Sequence, residues 1–97
     1  MQKSLSLILA DTKRSYFYLK ELELNKISLD TIIFYSNTKK TKFIRQINNY
    51  KFVKNIFIFN TKNINTDKIV KKIILIKSKY ILFSGYNAEI IKNKKVL

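Results

Sequence analysis

The chain contains no cysteine, no histidine and no proline, and its one glycine is Gly85. Without cysteine there are no disulfides, thiolate metal sites or cysteine nucleophiles, a usage that fits a reducing compartment. The missing histidine removes the commonest general base and the commonest transition-metal ligand. Six carboxylates, the tyrosines, the hydroxyls and the lysines remain for chemistry, so a self-contained hydrolase or metalloenzyme is not expected. One glycine also excludes the three-glycine dinucleotide fingerprint and the two-glycine P-loop.

Arginine is scarce as well. The formal net charge is +14, yet Arg14 and Arg45 are the only arginines and lysine supplies the rest. A strong positive charge invites a nucleic-acid reading. Arginine, however, is the residue suited to bidentate recognition of phosphates and bases. The accompanying Asn, Ile, Tyr and Phe match AT-rich codons, so part of the lysine excess reads as genome bias. Long apolar runs are also missing. The stretch from Met1 to Asp11 is too short for a signal peptide or a membrane span, and Lys77 and Lys79 interrupt Ile73–Ile76 and Tyr80–Phe83. A soluble cytoplasmic protein with no membrane partner is the expectation.

What is present is enough for one core. The 97 residues are 46% hydrophobic, with seven Phe and six Tyr, which argues against disorder and for a single domain over residues 1–97. Four apolar runs alternate with polar, helix-compatible segments, the sequence form of βαβ units. The first, Leu5 to Ala10, ends at Asp11 and Thr12, either of which can cap a helix from Lys13 to Asn25. Of the two roles open to Asp11, helix cap outweighs metal ligand. The helix carries a broad apolar arc of Tyr16, Phe17, Tyr18, Leu19, Leu22 and Leu24, fit for packing on a sheet with part left for a partner. A second strand spans Leu29 to Tyr35, and Phe43, Ile44, Ile47 and Tyr50 follow at helical spacing. The third strand, Asn55 to Phe59, is continuous and not alternating, as for a strand covered on both faces. Asn60 follows it where a phosphorylation-receiver domain would want an acid. Beyond the polar loop to Thr66, the helix Asp67–Ser78 sets Ile69, Val70, Ile73, Ile74 and Lys77 on one face. The fourth strand is Tyr80 to Phe83, and a helical turn is expected near Asn87 or Ala88.

The fold class expected is therefore α/β, a Rossmann-like three-layer arrangement with a parallel sheet of about four strands in the order 3-2-1-4. Ligands of such sheets sit beyond the carboxyl ends of the strands, where the strand order reverses. Here that is between the first and fourth strands. One side of the crevice would be Ala10, Asp11, Thr12 and Arg14, and the other Ser84, Gly85, Tyr86 and Asn87. Gly85 would either admit a ligand close to the backbone or take a positive φ, or simply turn the chain. Tyr86 would stack on a planar ligand or cover the sheet end.

These residues resemble a known family. Leu7 to Ala10, then Lys13, Arg14, Ser15, Tyr16 and Tyr18, then Leu29 to Tyr35, resemble the opening of the formyl-tetrahydrofolate-dependent formyltransferases. The order Lys79-Tyr80-Ile81-Leu82-Phe83, Ser84-Gly85-Tyr86, a spacer, Ile90-Ile91 and a final Val96-Leu97 resembles their fourth strand and folate-contacting loop. The resemblance covers almost the whole chain. It implies a Rossmann-like fold, formyl-tetrahydrofolate as cofactor, and formyl transfer to an amine on an aminoacyl-tRNA, a nucleotide intermediate or an amino sugar. It sets Ser84, Gly85, Tyr86, Asn87 and Ile90 beside the folate, with Asp11, Thr12 and Arg14 on the substrate side.

The family's catalytic asparagine, histidine and orienting aspartate fall after the last residue of this sequence. An attacking amine needs a proton acceptor and the tetrahedral oxyanion a donor. The expectation is an incomplete, amino-terminal half of such a protein, or a degenerate relative, without turnover alone. It would self-associate, or bind another chain, through the open edge of its fourth strand. The alternative is a basic, non-enzymatic module binding nucleic acid through Lys39, Lys40, Lys42, Arg45, Lys51 and Lys54, or an orphan domain acting through protein contacts.

Overall fold

The computed structural model describes residues 5–37 and 42–85. Its elements are β1 (Leu5–Ala10), α1 (Lys13–Leu24), β2 (Leu29–Tyr35), α2 (Lys42–Asn48), β3 (Val53–Phe59), α3 (Asp67–Leu75) and β4 (Tyr80–Ser84). The four strands form one sheet in the order β3-β2-β1-β4, and every neighbouring pair is parallel. This is the Rossmann-like α/β architecture that the alternation of runs predicts. The expected helical turn near Asn87 or Ala88 lies outside the described residues.

The strand order dictates the layers. From β1 to β3 the chain moves one way across the sheet, then returns past β1 to lay down β4. Right-handed crossovers put the helices of the outward path on one face and the returning helix on the other. Leu7, Leu9, Ile32 and Phe34 accordingly pack against Leu19 of α1 and against Phe43 and Ile47 of α2. Ile8, Ala10, Ile33 and Tyr35 pack against Ile69 and Ile73 of α3 and Ile64 of the loop before it. On the first face Phe34 meets Phe43 edge-on, with ring centroids 5.0 Å apart, and Phe43 meets Tyr16 at 5.9 Å. These edge-to-face contacts join β2, α2 and α1.

Local chemistry sets the helix ends. Thr12, not Asp11, caps α1, its Oγ1 accepting from the Ser15 N–H at 3.1 Å. Asp11 instead accepts a long hydrogen bond from Ser36 Oγ at 3.5 Å. At the other end the Ile27 N–H donates to Leu22 O and the Lys26 N–H to Glu23 O, both at 3.0 Å. This Schellman closure needs a left-handed residue. Lys26 supplies it at φ 54°, at the cost of Cβ crowding that glycine would avoid. Tyr50 lies beyond the end of α2 but is buried, and its hydroxyl donates to Ile27 O at 2.6 Å.

Burial, reinforced by the Glu23 carboxylate, pushes the Tyr50 phenol from 10.0 up to about 12. The folded chain thus keeps this proton at a pH where the unfolded chain releases it. The stability contributed is complete below pH 10 and disappears as pH rises through about 12. Tyr50→Phe should cost about 1 kcal/mol at neutral pH through the lost hydrogen bond. It should also flatten the alkaline decline, as read by urea unfolding of both proteins across that window.

Three expectations need correction. The helix Asp67–Ser78 stops at Leu75 because Ile76 is already extended, with φ −68° and ψ 125°. Ile69, Val70 and Ile73 are buried as the spacing requires, whereas Ile74 is 46% exposed. β3 begins two residues earlier than Asn55 and is covered on both faces only in part: Val53 and Ile56 pack on the side of α1 and α2 and Phe57 and Phe59 on the side of α3, while Ile58 is exposed. The apolar arc of α1 is narrower than its residues suggest, with Leu19 buried, Tyr16, Tyr18 and Leu22 half-buried, and Phe17 and Leu24 in solvent. Among the described residues no helix is long and apolar enough to cross a membrane.

Candidate functional site

The order reversal falls between β1 and β4, whose register sets Leu9 beside Ser84. At the carboxyl ends of these strands the chain leaves β1 through Asp11 and Thr12 into α1, and leaves β4 through Gly85. The two exits meet through polar contacts. Ser15, fully buried in the first turn of α1, places its hydroxyl 3.0 Å from the Ser84 carbonyl oxygen and 2.8 Å from Ser84 Oγ. Its single proton serves one of these acceptors at a time. Thr12 Oγ1 donates in turn to Ser15 Oγ at 3.0 Å. Arg14 Nη2 donates to the Gly85 carbonyl at 3.1 Å.

Each contact has a local cause. The cap at Thr12 starts the helix so that Ser15, three residues on, turns inward on the stripe that continues to Leu19. Arg14, one position earlier and exposed, reaches around the helix end. No acidic residue occupies the first turn of α1, so the partial positive charge of the helix start and the Arg14 guanidinium act together on whatever lies there. One Arg14 donor is engaged by Gly85, and the planar fork has others to offer.

The sequence expectations divide accordingly. Thr12, Arg14, Ser84 and Gly85 are brought together at the switch point. Asp11 turns instead toward β2, where it meets Ser36. Gly85 does not take a positive φ. It is buried, with the Arg14 guanidinium donating to its carbonyl. Tyr86, Asn87 and Ile90 lie outside the described residues.

Ser15 is the site residue that sequence reasoning did not single out. Its signal is a small hydroxyl three residues after a capping threonine and four before a buried leucine, on the inner stripe of the helix. Of the basic residues proposed for nucleic acid, Arg45, Lys51 and Lys54 are exposed, while Lys39, Lys40 and the Lys42 side chain lie outside the described residues. Among the described residues no group of three or more acidic side chains could hold a metal ion.

In chemical terms the site offers hydroxyls, backbone amides and carbonyls, and one guanidinium. Such a set orients a polar, flat or anionic molecule. Compared with models of known protein families, with curated proteins and with solved structures, the chain matches none.

Proposed function

We propose that the chain is a ligand-binding α/β domain of the formyltransferase type, taking formyl-tetrahydrofolate at the β1/β4 switch point without transferring the formyl group by itself. One observation carries the reading. The strand-order reversal brings the start of α1 and the exit of β4 within hydrogen-bond distance, with Arg14 spanning them. In open parallel sheets that is where ligands bind.

In this reading Arg14 directs its free donors to a carbonyl or carboxylate of the ligand. Gly85, lacking a side chain, lets the ligand approach the backbone, and the family resemblance assigns Tyr86, Asn87 and Ile90 to the folate side. Thr12, Ser15 and Ser84 hold the two walls together. Formyl transfer would need a proton acceptor for the amine and a donor to the oxyanion. Hydroxyls and a guanidinium at ordinary pH serve the second need and not the first, so we assign binding and not turnover.

Calorimetric titration with 5-formyl-tetrahydrofolate, a stable analogue, tests the proposal. Saturable binding is expected, weakened about tenfold or more by Arg14→Ala, equivalent to about 1.4 kcal/mol. Tyr86→Ala should weaken it similarly. Absence of saturable heat at millimolar ligand, or binding indifferent to both substitutions, would refute it.

A further inference from the structure

Charge in this chain is divided by segment and by layer. Between Leu5 and Asn37, which supply β1, α1 and β2, four basic residues are balanced by four acidic ones. Between Asn60 and Lys79, the stretch of α3 and its two connections, six lysines meet one acid, Asp67. A codon bias toward lysine acts on every segment alike, so it does not account for a neutral opening and a strongly basic last crossover.

The lysines share one surface. Ile69, Val70 and Ile73 turn inward against the sheet, which leaves Lys68, Lys71 and Lys72 on the opposite side of α3. Lys68 and Lys71 are exposed and Lys72 is half-buried, and exposed Lys77 and Lys79 follow beyond the helix end. Two of the ammonium groups lie over aromatic rings: Lys72 Nζ is 4.3 Å from the centroid of Phe57, and Lys79 Nζ is 5.5 Å from that of Tyr80. A ring holds a cation in place while leaving its charge unneutralised. Helix stability does not explain the arrangement. Lys68 stands in the first turn, where the positive end of the helix disfavours a cation. Lys71 and Lys72 follow it by three and four residues, spacings at which like charges destabilise a helix. Asp67, four residues before Lys71, offsets that one alone.

We infer that the outer face of α3, together with Lys77 and Lys79, binds the phosphate backbone of a nucleic acid without regard to base sequence. The partner has to bring the negative charge. A second copy carries +14, and the residues of this chain outside those described hold six lysines and one glutamate, so neither is complementary. A nucleic-acid duplex offers one negative charge per about 1.7 Å of its axis. An anionic membrane fits less well, because a helix that enters a lipid surface does so with its apolar face. That face of α3 is spent on the core, which leaves only Ile74 and Leu75 of its large apolar side chains exposed. Arginine is absent between Asn60 and Lys79. Lysine, a hydrated point charge without the planar fork, contacts phosphate without reading bases. The basic residues around α2 that the sequence offered for this role share their side of the sheet with Glu21 and Glu23 of α1, whereas the α3 layer has Asp67 alone. The surface lies across the sheet from α1 and Arg14 and does not rest on the ligand reading above.

Fluorescence anisotropy with a labelled DNA duplex of about 20 base pairs, and with its single strand, across about 50 to 200 mM salt tests the inference. With five lysines each meeting one phosphate, the logarithmic slope of duplex affinity against salt is about −4.5, a loss of roughly 500-fold over that range. Lys68→Gln, Lys71→Gln and Lys77→Gln together, all at exposed positions, should reduce that loss to roughly 10-fold. The single strand should rank the proteins in the same order with shallower slopes. Lys20→Gln, Arg45→Gln and Lys51→Gln remove as much charge from exposed positions on α1, on α2 and after α2, and should leave the slope near that of the unsubstituted chain. Acetylation of the unsubstituted chain gives a readout that depends on no variant: the bound duplex should protect Lys68, Lys71 and Lys77 but not Lys20 or Lys51. Absence of binding at the lowest salt, equal losses for the two triple variants, or acetylation unaffected by the duplex would overturn the inference. Tighter association with vesicles of phosphatidylcholine and phosphatidylserine than with the duplex would overturn it too, in favour of a lipid partner. None of these measurements involves folate, so a failed titration and a failed nucleic-acid surface are separate results.

Discussion

Phe34→Ala is expected to remove about 3–5 kcal/mol from the unfolding free energy, the range for deleting a buried aromatic ring. Phe34 is fully buried on a central strand and stacks edge-on with Phe43, which stacks with Tyr16. Its loss opens a void where β2, α1 and α2 meet, and no neighbour can fill it without breaking the ring contacts on the far side. A domain of this size has about 5–15 kcal/mol in total, so the variant should be marginal. In urea the midpoint should fall while the slope stays constant, since the surface exposed on unfolding is nearly the same. Phe17→Ala serves as the comparison, because Phe17 is 62% exposed and should lose about 0.5 kcal/mol or less. Equal losses for the two variants would contradict the layer assignment.

Ser15→Ala should cost about 1–3 kcal/mol, the penalty for leaving a buried polar partner unsatisfied. The Ser84 hydroxyl and carbonyl both lie against Ser15 Oγ, and a methyl group satisfies neither. Thr12→Ala should cost about 1 kcal/mol through the lost cap. The two losses should not add, because Thr12 Oγ1 also donates to Ser15 Oγ and groups in one network couple. The double variant therefore should lose measurably less than the two singles together in urea unfolding. Strict additivity would show that the hydroxyls do not act as one network. The same variant should also weaken folate-analogue binding, since Ser15 joins the two walls on which Arg14 and Gly85 are carried.

Much of this arrangement was legible in the residues. β1 and β2 begin and end where their apolar runs do, and α1 begins at Lys13 and ends one residue before Asn25. These boundaries are set by local effects: a threonine cap, a left-handed closure at Lys26, and apolar runs bounded by polar residues. The alternation of runs implied parallel strands joined by crossovers, and the order 3-2-1-4 expected for them is one of the few that right-handed crossovers allow.

The exposure of β3 and β4 was not legible. Ile56–Phe59 and Tyr80–Phe83 are as apolar as Ile32–Phe34, yet their place at the edges of the described sheet leaves them half-open. An apolar run reports that a strand can be covered, not that a neighbour is there to cover it. The end of α3 was hidden for the same reason. Its helical spacing continues to Lys77, but the chain straightens at Ile76 to bring Tyr80 level with Leu5.

The switch point between β1 and β4 shows the same division. That Thr12, Arg14, Ser84 and Gly85 lie near it followed from the sequence once the strand order was assumed. Which of them meet did not, because hydrogen bonds across some seventy residues, such as Ser15 to Ser84 and Arg14 to Gly85, depend on how the sheet closes. By itself the sequence determined the elements, their order and the absence of cysteine and histidine chemistry, since these depend on local propensity and residue type. Only the tertiary structure decided that Asp11 meets Ser36, that Ser15 is the buried link to Ser84, and that the apolar side chains of β4 are exposed at an edge of the described sheet. Each of those depends on which distant groups lie within a few ångströms, and that distance is a property of the folded sheet.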